Sequence, residues 1–205
     1  MRIGIDARLY GLEHAGLGRY TMKLVDELLK VDKKNDYVLF MTTKHADEYR
    51  NKKSVKVVVA DVPIYSIGEQ TVLPFIFARE KLDFLHVPHF NAPLFYPGKL
   101  ILTVHDLIKH QSKGPETTTR TRWLYYFKRF GYLALTKAIV QKAVHILVPS
   151  NFVKEDIIKR LRVPAGKITV TYEAVYEASV VEGDVPSYRA DAGIPQDNLY
   201  IGNYK

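Results

Sequence analysis

The stretch FLHVPHFNAPLFYPGKLILTVHDL, residues 84–107, decides how the chain is read. It contains two short apolar runs, Phe84–Val87 and Leu100–Val104, with polar residues following each. Prolines 88, 93 and 97 hold the intervening segment extended, as a loop leaving a strand end. Working outward, five more runs of this kind occur at Arg2–Ala7, Tyr37–Met41, Val55–Ala60, Val144–Val148 and Ile168–Tyr172. Val55–Ala60 is so rich in valine that it reads as a strand buried on both faces. Between the runs lie helical patterns: Leu17–Val31, with Tyr20, Leu24, Val25 and Leu28 at helical spacing; Gly68–Lys81, interrupted or kinked at Pro74; Thr117–Lys142; and Phe152–Leu161, capped by Ser150 or Asn151. His45–Arg50 bridges the second and third runs. Strands alternating with helices from the first residue give an α/β fold, a parallel sheet sandwiched by helices.

The chain has 205 residues, enough for one domain, or one domain and the beginning of a second. With 47% hydrophobic and 25% charged residues it is globular in composition, which excludes disordered and low-complexity classes. No stretch reaches the roughly 18 apolar residues of a membrane span. The start, MRIGIDARLYG, has no apolar run of signal-peptide length, so the expected location is cytoplasmic. With no cysteine, thiol catalysis and Cys-based zinc sites are excluded. The net charge is +8, and residues 107–154 account for all of it, with nine bases against Glu116 alone. So local an excess implies an anionic partner.

Four places carry candidate chemistry. Gly16 and Gly18, in GLEHAGLGRY, immediately precede a helix, where free amides and the positive dipole end can hold a phosphate. The spacing is not a dinucleotide fingerprint, since Thr21 stands at the third glycine position and the loop is long. His105 and Asp106 leave the carboxyl end of a strand, where parallel sheets bind ligands. His105 can hydrogen-bond a sugar hydroxyl or a developing oxyanion, and Asp106 can orient its ring, provided the strand has ended by then. His89 and Asn91 leave a neighbouring strand end and can line the same opening. Glu69 and Gln70 open a helix, where an acid is favourable on its own account, so they read first as helix-terminus residues. On the helix Thr117–Lys142, Trp123, Phe127, Phe130 and Ala134 share one stripe, read as core, while Arg122 and Arg129 share another, either a solvated basic face or a surface for anionic lipid headgroups or stacked bases, and acceptor-side candidates under the family resemblance given below. His86, His89, His105 and His110 have no metal-ligand spacing, and no metal is expected.

Taken in order, Asp6-x-Arg8, AGLGRY (15–20), EQTVLP (69–74), HFNAP (89–93), TVHDL (103–107), VPSNFVKEDI (148–157) and KITVTYEAV (167–175) resemble the N-terminal half of retaining family 4 glycosyltransferases, the group 1 class with the GT-B fold. The resemblance implies a Rossmann-like acceptor-side domain over 1–175, an irregular linker over 176–198, and at 199–205 the first strand of a C-terminal nucleotide-sugar domain whose remainder lies beyond this sequence. It implies that Gly16 and Gly18 approach the donor diphosphate and that His105 touches the transferred sugar, with Asp106 beside it. Arg8, Glu69, His89 and Asn91 then fall on the acceptor side. The partners implied are a nucleotide-diphosphate sugar and a glycan or lipid-linked acceptor, with peripheral contact at the inner face of an anionic membrane. The reaction implied is front-face hexosyl transfer, most like that of mannosyltransferases of bacterial polysaccharide assembly, with no cofactor. The half on its own is expected to be inactive. Glu173-Ala174-Val175 departs from the family, which often has glycine there.

The rival reading is a non-enzymatic module that binds a membrane surface or nucleic acid through residues 107–154. A nucleic-acid binder would carry a recognition element, and none appears, so nucleic acid is not an expected partner. A nicotinamide-dependent oxidoreductase fails on the glycine spacing and on Thr42, Thr43 and Lys44, which stand where an acidic ribose ligand belongs.

Overall fold

The computed structural model describes residues 1–107 and 122–174, the side chains of 122–128 excepted. In chain order the elements are β1 (Arg2–Asp6), α1 (Ala15–Val31), β2 (Asp36–Met41), α2 (Thr43–Ala46), β3 (Val55–Val59), α3 (Ile67–Thr71), α4 (Leu73–Arg79), β4 (Phe84–Val87), β5 (Leu100–Thr103), α5 (Arg122–Lys142), β6 (His145–Val148), α6 (Asn151–Leu161) and β7 (Ile168–Val170). All strand pairs are parallel, in the order β3-β2-β1-β4-β5-β6-β7. This is a Rossmann-like α/β fold. Met1–Glu173 forms one compact unit.

The order follows from burial. β2 alternates its side chains between two apolar layers: Tyr37, Leu39 and Met41 join Ile5 and Val25 of α1, while Val38 and Phe40 join Phe77 of α4 and the layer under α5 and α6. A strand covered on both faces must be apolar at every position, as β2 is after Asp36. β3 is the exception. The expectation that it is buried on both faces is wrong: it is an edge strand, exposed or half-exposed throughout, and Lys56 points out to Glu80 at 2.8 Å. Its valines reflect a preference for extended backbone, and only one strand borders it.

The expected helix over 68–81 is two helices that break at Val72 and end at Arg79. Pro74 sits in the first turn of α4, where its missing donor has no partner to lose. α1 starts at Ala15, after a single 3-10 turn over Leu12–His14. On α5 the stripe read as core does not hold where it is described: Phe130 is 72% exposed and Ala134 is exposed, while Ile139, Val140 and Ala143 are buried. Ser150 is the cap of α6, accepting from the Val153 amide at 3.3 Å. The linker and strand expected over 176–205 lie outside the described residues. Among the described residues, no helix is long and apolar enough to cross a membrane.

The chain runs outward from β1 through β2 to β3, then returns to place β4 on the other side of β1. The sheet order thus reverses between β1 and β4. Ligands of open parallel sheets bind in the crevice outside the carboxyl ends of the strands at such a reversal.

Leu102, in β5, is fully buried in the larger apolar layer. Leu102→Ala is expected to lower unfolding free energy by about 2–5 kcal/mol, read as a lower urea midpoint at unchanged slope.

Candidate functional site

β1 ends at Asp6, and the chain turns so that Arg8 folds back onto it. Arg8 Nε and Nη2 donate to the two Asp6 carboxylate oxygens at 2.9 and 2.8 Å, and Nη2 also reaches Glu69 Oε1 at 2.9 Å. Nη1 donates to the Val62 carbonyl at 2.8 Å. The three charged groups are 2–5% exposed. Burial opposes the Arg8 charge, but Asp6 and Glu69 outweigh it and raise the guanidinium above its ordinary range. Glu69 uses its other oxygen to accept from the Tyr65 amide and from Asn91 Nδ2. Glu69 is an acid in the first turn of α3, as read, and it is also the buried centre of a network spanning β1, α3 and the loop after β4. Gln70 points elsewhere and pins that loop, donating to the Ala92 carbonyl and accepting from the Leu94 amide.

The loop after β4 supplies the rest of this wall. His89 Nδ1 accepts from the Asn91 amide at 3.0 Å, which leaves the ring proton on Nε2. The ring packs on Phe90 at 4.1 Å, with Tyr65 edge-on at 6.1 Å. A small pocket at the strand reversal is lined by Arg8, Leu9, Glu69, Pro88, His89 and Asn91. His86, one pleat earlier, is a core residue. Its Nε2 meets Thr103 Oγ1 at 2.9 Å, and burial first, then the neighbouring His105, pushes it down to about 4.

β5 stops at Thr103, so His105 and Asp106 are clear of strand alternation. Asp106 nevertheless does not hold the His105 ring. The Nδ1 partner is Glu173 Oε1 at 2.8 Å, and Nε2 lies 3.3 Å from the Pro88 carbonyl. Asp106 is exposed, and its charge bears on Tyr132, whose hydroxyl is pushed up to about 12 by burial first and then by nearby Tyr65 and Asp106. Tyr20 of α1 packs edge-on against His105 at 4.6 Å and reaches Thr103 Oγ1 at 3.4 Å. The helix with the two glycines is thereby tied to the His105 strand end.

Gly16 and Gly18 lie inside the first turn of α1 and do not precede it. They differ. A Cβ on Gly18 would stand 1.8 Å from the Gly11 carbonyl oxygen, whereas one on Gly16 meets nothing within 4 Å. Gly18 lets the helix close onto its own loop. Gly16 is exposed in the first turn of α1, where the Ala15 amide is taken by the Leu12 carbonyl and the next amides have no partner one turn back in the helix. Gly11 adopts φ 127°, open to glycine and strained for other residues. The loop is held from α2 by Lys44 and His45, at 2.7 and 3.0 Å from Glu13.

The family model described as Glycosyltransferase Family 4 matches residues 14–177. The chain belongs to that family. Among solved structures it is similar to Alr3699/HepE of Anabaena, crystallised with UDP and glucose, at 16% identity and a TM-score of 0.51, over 94% of this chain and 50% of that one. A glycosyltransferase of Rickettsia africae aligns at 14% identity and a TM-score of 0.45, over 96% and 50% respectively. The chain spans about half the length of both. No curated protein matches.

In this family 4 domain the structure brings together Arg8, Glu69, His89 and Asn91 as one wall, and joins His105 to α1 through Tyr20. Arg129 is half-buried on α5, three residues before Tyr132, which packs edge-on to Phe90 at 6.2 Å. The Arg122 side chain lies outside the described residues. Lys142, one of the nine bases, donates to the Leu94 and Tyr96 carbonyls. Among the described residues no group of three metal-ligating side chains forms. Asp6 and Glu173 were missed as site residues. Asp6 is signalled by its place at a strand end two residues from Arg8, and Glu173 by following the last strand, the argument already applied to His105.

Arg8→Met leaves two buried carboxylates without their cation and should cost about 3–5 kcal/mol in urea unfolding. Gly18→Ala should cost about 1–3 kcal/mol, while Gly16→Ala should leave stability unchanged or raise it by up to about 1 kcal/mol. His86 takes up its proton more readily unfolded than folded, so it destabilises the fold as pH falls from about 6.5 through about 4. Relative to His86→Gln, the protein should lose about 2–3 kcal/mol between pH 7 and pH 4, measured by urea unfolding at each pH.

Proposed function

We propose that the protein carrying this domain transfers a hexose from a nucleotide-diphosphate sugar to a hydroxyl of a glycan or lipid-linked acceptor, with retention at the anomeric carbon. The observation that carries the reading is the contact of Tyr20 with His105, which sets the glycine-opened turn of α1 beside the strand end that bears the histidine. A diphosphate on the amides of that turn would place its attached sugar at His105, since a helix N-terminus favours anions. UDP and glucose bound to the Anabaena protein agree in ligand class.

Each group then has a part. The Gly16 turn receives the diphosphate, and His105 hydrogen-bonds a sugar hydroxyl. The Arg8–Glu69–Asn91 network is fully paired and forms one wall, with the His89 ring beside it on the acceptor side. The anomeric carbon–oxygen bond to the diphosphate breaks as the acceptor oxygen bonds to the same face, and the acceptor proton passes to the departing phosphate oxygen. No protein nucleophile, metal or other cofactor is assigned a step. Mannose or a related hexose is the proposed sugar, as in bacterial polysaccharide assembly. The proposed location is the cytoplasm, peripheral to the inner membrane face where a lipid-linked acceptor would be met. Residues 1–205 alone are expected not to turn over, because they span about half the length of the Anabaena protein that holds UDP and glucose.

The test is release of nucleoside diphosphate by the full-length protein from a panel of UDP- and GDP-hexoses with glycan and lipid-linked acceptors. Turnover with the product anomer matching the donor is expected, and His105→Ala should lower kcat/KM by about 10²–10⁴-fold. Failure with every donor, or an inverted product, rejects the reading.

A further inference from the structure

We propose that Glu173 is a positioning residue for His105: its carboxylate keeps the proton on Nδ1, so that Nε2, whose only hydrogen-bond contact among the described residues is the longer one to the Pro88 carbonyl, is the ring atom left to exchange that contact for a ligand. That the ligand is a sugar rests on the transferase reading; the role of Glu173 toward the ring does not.

Glu173 follows a hydrogen-bonded stretch of chain. The chain beyond β7 is tied down where the Thr171 amide donates to the Val148 carbonyl at 2.8 Å, and Asn151 Nδ2 donates to the Tyr172 hydroxyl at 3.3 Å. From there Oε1 lies 2.8 Å from His105 Nδ1. An ionised carboxylate only accepts hydrogen bonds, so Nδ1 is the donor, and a charge-assisted bond of this length is the stronger kind. The other nitrogen has a longer contact, 3.3 Å to the Pro88 carbonyl, and that oxygen also only accepts. A neutral imidazole has one N–H to share between two acceptors. The shorter, charge-assisted contact takes it, and Nε2 is left with its lone pair. When the ring is charged, the second proton sits on Nε2. In both states Nδ1–H stays on Glu173, and Nε2 alone changes from acceptor to donor. Tyr20 packs edge-on against another side of the ring at 4.6 Å. A carboxylate that fixes the tautomer of a working histidine has this effect in hydrolase triads.

Long-range proton–nitrogen correlation spectra of the labelled protein read the tautomer directly, with His105 assigned by loss of its signals in His105→Gln. At a pH where the ring is neutral, the unaltered protein should show Nδ1–H, opposite to the Nε2–H form that exposed neutral histidines favour. Glu173→Gln, whose amide can accept or donate, should give a mixture or Nε2–H. Glu173→Asp should recover part of the Nδ1–H form. Glu173 is half-exposed, so Glu173→Gln should shift the thermal midpoint by no more than a few degrees, which separates the effect from unfolding. In turnover of a nucleotide sugar, Glu173→Gln should lower kcat about 10- to 100-fold with KM nearly unchanged, and Glu173→Asp should restore part of it. Finding Nε2–H in the unaltered protein, or the same tautomer in Glu173→Gln, overturns the proposal. So does a kcat unchanged by Glu173→Gln. A protein that turns over no nucleotide sugar, yet shows the tautomer change, rejects the transferase reading and upholds the Glu173 assignment.

Discussion

The buried arginine fork is the constraint on which the other parts of the site depend. Arg8 can be desolvated only because Asp6 presents both oxygens to it in a two-point contact and Glu69 supplies a second acid, and those acids tolerate burial only because Arg8 lies between them. Glu69 in turn anchors the Tyr65 amide and the Asn91 side chain, so one cation fixes the turn before α3 and the loop after β4 together. Such a network adds little net stability compared with an apolar core of equal volume. What it fixes is geometry, since every donor and acceptor has one place to be.

The fold was largely legible in the sequence because the strands are short apolar runs separated by helical periodicity, and the seven runs up to Tyr172 correspond to the seven strands among the described residues. The reading failed where burial depends on position in the sheet. Val55–Val59 has the composition of an interior strand but lies at the edge, and strand order is not written in one strand's residues. Phe130 and Ala134 share a helical stripe, yet the helix turns a different stripe inward. Periodicity identifies a face and not the direction it points.

The candidate site was legible in its positions more than in its pairings. His105, His89 and Asn91 emerge at strand ends, as the reversal between β1 and β4 requires. The pairings escaped because they join residues far apart in sequence: Arg8 with Glu69 across 61 positions, and His105 with Glu173 across 68. Asp106 looked like the partner of His105 because it is adjacent in sequence, and in the folded chain a remote carboxylate holds that place. Gly16 and Gly18 looked equivalent, but one serves close packing and the other leaves open space.

These separations bear on how the molecule is made. β1 can pair with β2 early, but the β1–β4 pairing that creates the crevice joins Ile3 to Phe84 and waits for most of the first half of the chain. Closing such long loops is slow, and parallel sheets rich in non-local contacts fold correspondingly late. Loop length alone thus predicts that the crevice forms late. In a chain where that pairing is not yet made, Arg8, Asp6 and Glu69 would present charge to water at the open edge, where an apolar pocket would present a surface prone to association.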